Sequence, residues 1–454
     1  MHMDLSANAR LSRWEWAFLG MLVPLLVLFG VLVVYRSALS ERRMGDVNML
    51  LRAAWAARMG GEGLYSIQSE NRLNYHYPPL FAFLLSPLAD PPPGAAPCFV
   101  PPFAVSVLIW FCINVGMLAW AVHLLASLVE SAAAQPPVRF GRRWWLLRLL
   151  PVGICLVDVG CTLNHGQVTI LLLLCFAVGI RAYLLRQTFH SGLWLGAAAC
   201  VKIFPAFLIL VPLWRRDLGC LAGFGVALFV GLLALPVAVY GPTRTLSLYV
   251  ELEHVLIGPA LGWGEDQTRH AQLFSTEGPS SQSLAAAYTH LLDSLSPATY
   301  TTPPMLARLL HWCTGLLVVL GLFAMWRKNA LLPSASARVT QSLLFFGGMC
   351  LLMVLLCPVA HKHYLMLALP LVLAMCGLIL DPQTSHMRHL LVPLGIFLLA
   401  SICSSLPGLE MLKEYCVPLY ASLFLLGTAL WTGTSWSIEP CRASLGGVAP
   451  VGLG

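Results

Sequence analysis

The chain has 454 residues, of which 58% are hydrophobic and only 10% charged, with a formal net charge of +7. Soluble domains carry about 25% charge, so no large soluble domain fits, and the chain reads as an all-α, polytopic membrane protein. The basic residues sit in short clusters between apolar runs, which is the usual topogenic pattern and speaks against a nucleic-acid partner.

A membrane helix needs about 20 predominantly apolar residues. The first such run, Trp16–Val34, is too long for a signal peptide and lacks a small-residue cleavage site, so it reads as the first span. Further spans are predicted near 102–127, 147–163, 168–185, 218–240, 306–325, 341–360, 363–380, 389–406 and 416–433. Fourteen cysteines are present, but there is no C-x-x-C pair, and many (Cys112, Cys155, Cys175, Cys350, Cys376) lie inside apolar runs. They read as small core residues, not as a disulfide framework or a zinc site.

After the first span comes "RRMGDVNMLLRAAW", with the single acid Asp46. Val47, Leu50, Leu51, Ala54 and Trp55 fall at helical spacing, which predicts a short interfacial helix. Asp46 then serves as its cap or first-turn residue, or as a general base whose direction the helix fixes. Tyr75, His76 and Tyr77 follow before a diproline. They suit membrane anchors or a platform for the apolar face of a sugar ring.

Two segments are ambiguous. Tyr77–Pro93 is apolar but short, and Ser191–Arg216 either crosses once or breaks at Lys202–Pro205 into two halves. Suppose the first re-enters and the second goes up and down. Then Arg10/Arg13, Arg139/Arg142/Arg143, Arg181/Arg186, Arg215/Arg216, Arg327/Lys328 and Arg388 all share the cytoplasmic side, with about twelve crossings. If both cross once, the clusters at 139–143 and 181–186 move outside. The first arrangement gathers Asp46, "NHGQ" (Asn164–Gln167), the Lys202 break, the loop 241–304 and "HKHY" (His361–Tyr364) on the opposite face.

Lys202 is the sharpest single residue. A lysine within "LGAAACVKIFPAFLIL" is costly unless paired or wet, and an anionic head group such as a lipid phosphate would pair it. His165 and Gln167 sit at a turn between two runs, where solvated polar ends are common. His361 and His363, two apart, do not share a helix face, so a chelating pair is not expected; Lys362, with His361 or His363 when protonated, makes a cationic patch for phosphate. Ser280, Ser281, Gln282 and Ser283 cap a helix or bond a polyol. Glu251, Glu253, Glu265 and Asp266 add carboxylates to the same loop. No D-x-D pair, P-loop, dinucleotide fingerprint, G-x-S-x-G or H-E-x-x-H occurs.

The ordered set of Asp46, "GLY…YHYPPLFAFLLSPL", "NHGQVTILLLL", "CVKIFPAFLILVPLWRR", "SSQSLAAAYTHLL" and "CPVAHKHYLMLALP" resembles glycosyltransferase family 87. These are the bacterial polyprenyl-phosphate-mannose-dependent α-1,2-mannosyltransferases of the C-type membrane superfamily. The resemblance covers roughly residues 15–430. It implies inverting, metal- and cofactor-free transfer of a hexosyl residue, mannose first among candidates, from a polyprenyl-phosphate sugar. The acceptor would be a lipid- or glycan-linked hydroxyl on the extracytoplasmic face of the cell membrane.

The resemblance makes Asp46 the catalytic base and matches His363 to a donor-site histidine, although "AHKHY" keeps only one of the paired histidines common in relatives. Lys202, His363 and Lys362 then serve the donor phosphate, and Tyr75, Tyr77, His165, Gln167 and Gln282 the sugar or acceptor. One integral domain is expected over 1–436, with external loops 37–77 and 241–304 and a flexible tail over 437–454. Arabinosyl or glucosyl transfer within the superfamily is the nearest rival. A transporter or lipid flippase would call for inverted repeats, and none is evident. A non-catalytic scaffold leaves Lys202 without a reason.

Overall fold

The computed structural model describes residues 13–40, 45–68, 74–95, 99–133, 137–258, 281–295, 305–332 and 335–435. The tail 437–454, Ser280, Glu265, Asp266 and much of the loop 241–304 lie outside them. The described residues form helices, with no strand beyond two isolated bridges. In chain order the first ten helices are α1 (Arg13–Val34), α2 (Asp46–Arg58), α3 (Pro79–Leu84), α4 (Phe103–Ala132), α5 (Arg142–Ile154), α6 (Leu156–His165), α7 (Thr169–Leu184), α8 (Thr188–Val201), α9 (Leu210–Arg215) and α10 (Leu218–Leu228).

Among the described residues seven helices are long and apolar enough to cross a membrane, or eight if the bent pair α5–α6 counts as one span. The protein is therefore a multi-pass membrane protein. Helices Ala335–Leu355 and Leu369–Leu380 are almost wholly buried and form the centre of the bundle. By contrast α1 and Met305–Arg327 present long apolar faces outward, as lipid-facing helices do.

Three predicted spans come out differently. The run 147–163 bends by 68° between Ile154 and Leu156, just beyond Pro151 and Gly153, the residue types at which helices kink. The run 168–185 is a helix of 16 residues. The run 389–406 narrows to Leu391–Cys403, preceded by a 3-10 segment, Pro382–Leu390.

The Lys202 break is real, and its geometry shows where the chain goes. A Cβ at Gly192 would lie 2.0 Å from Cys220 O, one at Gly223 would lie 2.0 Å from Phe189 O, and Gly196 meets Ala227. So α8 and α10 touch backbone to backbone through small residues, and their register is parallel. Residues 203–216 must therefore run back along the bundle. They do so as a 3-10 segment, Phe204–Ile209, followed by α9. Arg186 and Arg215/Arg216 end up together at one end, with Lys202 at the other. This is the up-and-down path that the charge pattern favoured.

Helix α7 runs antiparallel to α8, with Gly179 against Leu195 and Ser191. At about 1.5 Å rise per residue, the 16 residues of α7 and the 14 of α8 reach only about 21–24 Å, against a hydrocarbon core of about 30 Å. Gln167 precedes α7 and Lys202 follows α8, so the two lie at the same end of this antiparallel pair.

Candidate active site

Asp46 is held from two sides. Gly45 enters α2 at φ 103, and a side chain there would also stand 3.2 Å from His165 O. Gly45 is the N-cap and Asp46 the first helical residue, so the carboxylate lies in the first turn, one of the two places the sequence offered it. Nε2 of Gln167 donates to Asp46 Oδ2.

Helix α2 also departs from expectation. Val47, Asn48, Met49, Leu50, Leu51, Ala53, Ala54, Ala56 and Ala57 are all buried, so the helix packs inside the protein on most sides and does not float at a lipid interface. Its alanines let neighbouring segments close over the face that the apolar pattern had assigned to solvent.

Gly166 makes the seat. Its backbone is left-handed (φ 65, ψ 33), its carbonyl accepts from Trp110 Nε1 at 2.8 Å, and a Cβ there would sit 2.7 Å from Val47 Cβ. Gly166→Ala is expected to cost about 1–3 kcal/mol through overpacking and the positive φ, and to lower turnover by shifting Asp46 against Gln167. Thermal unfolding and activity per folded protein check this; no change in either would mean that the Val47 contact yields freely.

From Gln167 the polar contacts continue as a relay. Tyr77 Oη donates to Gln167 Oε1 at 3.2 Å. Lys202 Nζ lies 3.5 Å from Tyr77 Oη and 2.6 Å from Tyr364 Oη. Three rings flank the ammonium, with centroids at 4.1 Å (Tyr364), 4.9 Å (Tyr77) and 5.5 Å (Phe204). Among the described residues Lys202 makes no ion pair. Phenol oxygens and ring faces offset part of its burial cost and leave its charge available to an anion. Its own backbone is extended (φ −147, ψ 138), which ends α8 and turns the side chain among the aromatics.

The segment after Pro358 closes the cluster. His361 is extended (φ −74, ψ 149) and caps a 3-10 segment, Lys362–Ala368, so it stands outside the helix that carries His363. The two rings stack with centroids 5.5 Å apart. This corrects the expectation that they diverge, which assumed a helix starting at His361. His363 also lies 6.0 Å from the His165 ring, its carbonyl accepts from Thr162 Oγ1 at 3.0 Å, and its Nε2 is buried without a hydrogen-bond partner. Among the described residues no group of three or more His, Cys, Asp or Glu is arranged to hold a metal ion.

The other expected residues fall in different places. Tyr75 is buried, and its hydroxyl donates to Pro78 O at 3.1 Å, so it supports Tyr77 from below (ring centroids 5.6 Å). His165 is exposed at the rim. Gln282 does not reach the cluster: its amide donates to Lys413 O at 3.0 Å and accepts from Leu419 N at 3.3 Å. Lys362 turns the other way from its neighbours, to Ser401 O, Ser404 Oγ and Ser405 Oγ. Glu251 pairs with Arg244 at 3.2 Å, and Arg244 donates to Gly61 O; that ties helix Pro242–Leu252 to the turn that follows α2. Tyr364, Gly45 and Gly166 were not singled out from the sequence. The signal for the glycines was a glycine bordering a polar motif between apolar runs.

The electrostatics follow from burial. Desolvation raises the Asp46 carboxyl above the usual range, opposed by the charges of His165 and Lys202. Burial lowers His361 to about 4, with Lys202 and His165 pushing the same way, and lowers His76 to about 4, chiefly by desolvation. The relay therefore holds an acid raised above its normal range and, among the described residues, an ammonium without an ion pair, beside His76 and His361, whose proton affinity burial lowers. An anion arriving beside them would raise the imidazoles' proton affinity.

The model for glycosyltransferase family 87 matches residues 75–358. A polyprenol-phosphate-mannose-dependent alpha-(1-2)-phosphatidylinositol mannoside mannosyltransferase of Mycobacterium tuberculosis is 31% identical over 180 residues, which is 38% of this chain and 40% of that protein. The aligned part thus spans less than half of the relative. No solved structure matches the chain.

Proposed function

This chain belongs to glycosyltransferase family 87, and from that premise we propose that it moves a hexosyl residue, mannose by preference, from a polyprenyl-phosphate sugar to a hydroxyl of a lipid- or glycan-linked acceptor. The transfer inverts the anomeric centre and needs no metal ion. It takes place on the extracytoplasmic face of the cell membrane, in one C-type domain over 1–436 with about twelve crossings. The observation that carries this reading is the relay: a carboxylate with raised proton affinity joined through Gln167 and Tyr77 to an ammonium with no ion pair.

The chemistry follows from those two ends. The acceptor oxygen attacks C1 as its proton passes to Asp46. The bond from C1 to the phosphate oxygen breaks, and the departing polyprenyl phosphate keeps the electron pair. Lys202, with His363 on the adjoining segment, stabilises the charge that grows on that phosphate in a partly dry site. Inversion requires base and leaving group on opposite faces of the sugar, and a single carboxylate suffices. Tyr77 and Gln167, between the two ends, are placed to hold the ring. The short reach of α7 and α8 supports a recess in which the donor phosphate sits below the level of its bilayer neighbours. The printed name of the mycobacterial relative supports mannose and a glycolipid acceptor.

The test is incubation of the purified protein in nanodiscs with radiolabelled polyprenyl-phosphate mannose, glucose and arabinose, together with a lipid extract. Label is expected to pass from the mannosyl donor to an extractable product. Transfer from none of the three would sink the reading. The pH profile adds a second check. A base acts only when deprotonated, so kcat/KM should be level above the raised Asp46 value and fall tenfold per pH unit below it. A limb at or below about 4, the ordinary carboxylate range, would remove Asp46 as the titrating base.

A further inference from the structure

Below the relay lies a second polar cluster that the chemistry above does not use. Asp158 is fully buried on α6. Its Oδ2 accepts from Ser401 Oγ at 2.9 Å, and its Oδ1 has no hydrogen-bond partner. Ser401, on helix Leu391–Cys403, offers its carbonyl to Lys362 Nζ, which also donates to Ser404 Oγ at 2.8 Å and to Ser405 Oγ. A carboxylate and an ammonium thus meet at one serine, in a region where an unpaired charge is costly.

What this cluster touches gives it a role. Asp158, Thr162 and His165 are spaced i, i+4, i+7, so they line one face of α6. Thr162 Oγ1 reaches both Asp158 O at 2.8 Å and His363 O at 3.0 Å, and the His165 ring lies 6.0 Å from that of His363. One helix face therefore carries the buried acid at its base, grips the His363 backbone at its middle, and presents His165 beside the His363 ring at its tip. Lys362 directly precedes His363 and Tyr364. Its side chain is drawn toward helix Leu391–Cys403, so theirs face Lys202, with Tyr364 Oη 2.6 Å from Nζ.

We infer that the buried Asp158 and Ser401 and the half-buried Lys362 form a clamp of positioning residues, which sets the segment Lys362–Ala368 so that His363 and Tyr364 meet the donor phosphate beside Lys202. The clamp assigns Lys362 a role other than touching the phosphate. It rests on the transferase reading above.

The test is a double-mutant cycle of Asp158→Asn and Lys362→Met in nanodiscs, with kcat and donor KM measured per folded protein. Lys362→Met leaves the buried Asp158 carboxyl without its cation, and Asp158→Asn leaves the half-buried ammonium without its acid, so kcat is expected to fall by about tenfold or more in each. The double variant removes both charges and should return to within about threefold of wild type, with donor KM near the wild-type value throughout. A donor KM raised in Lys362→Met and equally in the double variant would show direct phosphate binding and overturn the clamp. So would single variants as active as wild type, or a double variant carrying the sum of both losses. Should the single variants not fold, Ser401→Ala removes only the shared hydroxyl; it should lower kcat by about three- to tenfold at constant donor KM, and an unchanged kcat overturns the proposal. If wild type neither transfers sugar nor gains thermal stability from polyprenyl phosphate, the transferase reading has failed, and the clamp with it. An active wild type with unperturbed variants rejects the clamp alone.

Discussion

Asp46→Asn should lower kcat by about 10²–10⁴-fold, the usual contribution of a positioned general base, while donor KM stays within a few-fold of wild type. The substitution keeps the shape of the side chain, and its Oδ1 can still accept from Gln167 Nε2, so the seat on the 164–167 turn survives. What disappears is the proton acceptor. Asp46→Glu keeps the carboxylate but pushes it outward by one methylene, and should retain a measurable fraction of turnover. Stability separates this from a structural role. The carboxylate is held where burial disfavours its charge, so the neutral amide should leave thermal unfolding unchanged or raise it. Single-turnover assays with labelled donor and melting of the same preparation provide both readouts. Turnover within tenfold of wild type would remove Asp46 from the chemistry, and a lost fold would make it a structural acid.

The sequence was most legible where one physical term dominates. Long apolar runs became spans because nothing but lipid or protein core suits them. Lys202 marked a break because an ammonium inside an apolar helix requires one kind of neighbourhood, and the chain indeed leaves the helix at that residue. Asp46 and Gln167 were both singled out, yet their contact was not, since it depends on how the left-handed Gly166 seats Val47. The burial of α2 was hidden for a related reason: its alanines look neutral until neighbours close over them. His361 and His363 were assigned to opposite sides because a helix was assumed to begin with the motif, whereas the first residue is extended. Gln282 and Lys362 carried the right chemistry for a ligand and were already engaged by Lys413, Leu419 and three serines. Residue type indicates what a side chain can bond, and only packing decides which partner reaches it first.

Lys202→Met tests the other end of the relay. Methionine nearly matches the lysine stem in volume and flexibility, so the aromatic pocket of Tyr77, Phe204 and Tyr364 stays filled and only the charge is lost. A hydrogen bond to a charged group contributes about 1.5–3 kcal/mol, which sets the expected loss in kcat/KM at about 10–150-fold. The way the loss divides is informative. If the ammonium holds the phosphate equally in ground and transition states, donor KM rises alone; charge that grows on the leaving oxygen should lower kcat as well, and the second pattern is expected here. Lys202→Arg should not restore activity, because a planar guanidinium does not fit the position from which Nζ reaches Tyr364 Oη at 2.6 Å and Tyr77 Oη at 3.5 Å. Raising ionic strength should change the wild-type parameters little, since a buried ammonium is poorly screened. Unchanged KM and kcat in Lys202→Met would place the phosphate elsewhere. Full activity in Lys202→Arg would show that charge alone is needed there and that the phenol pair does not select the geometry.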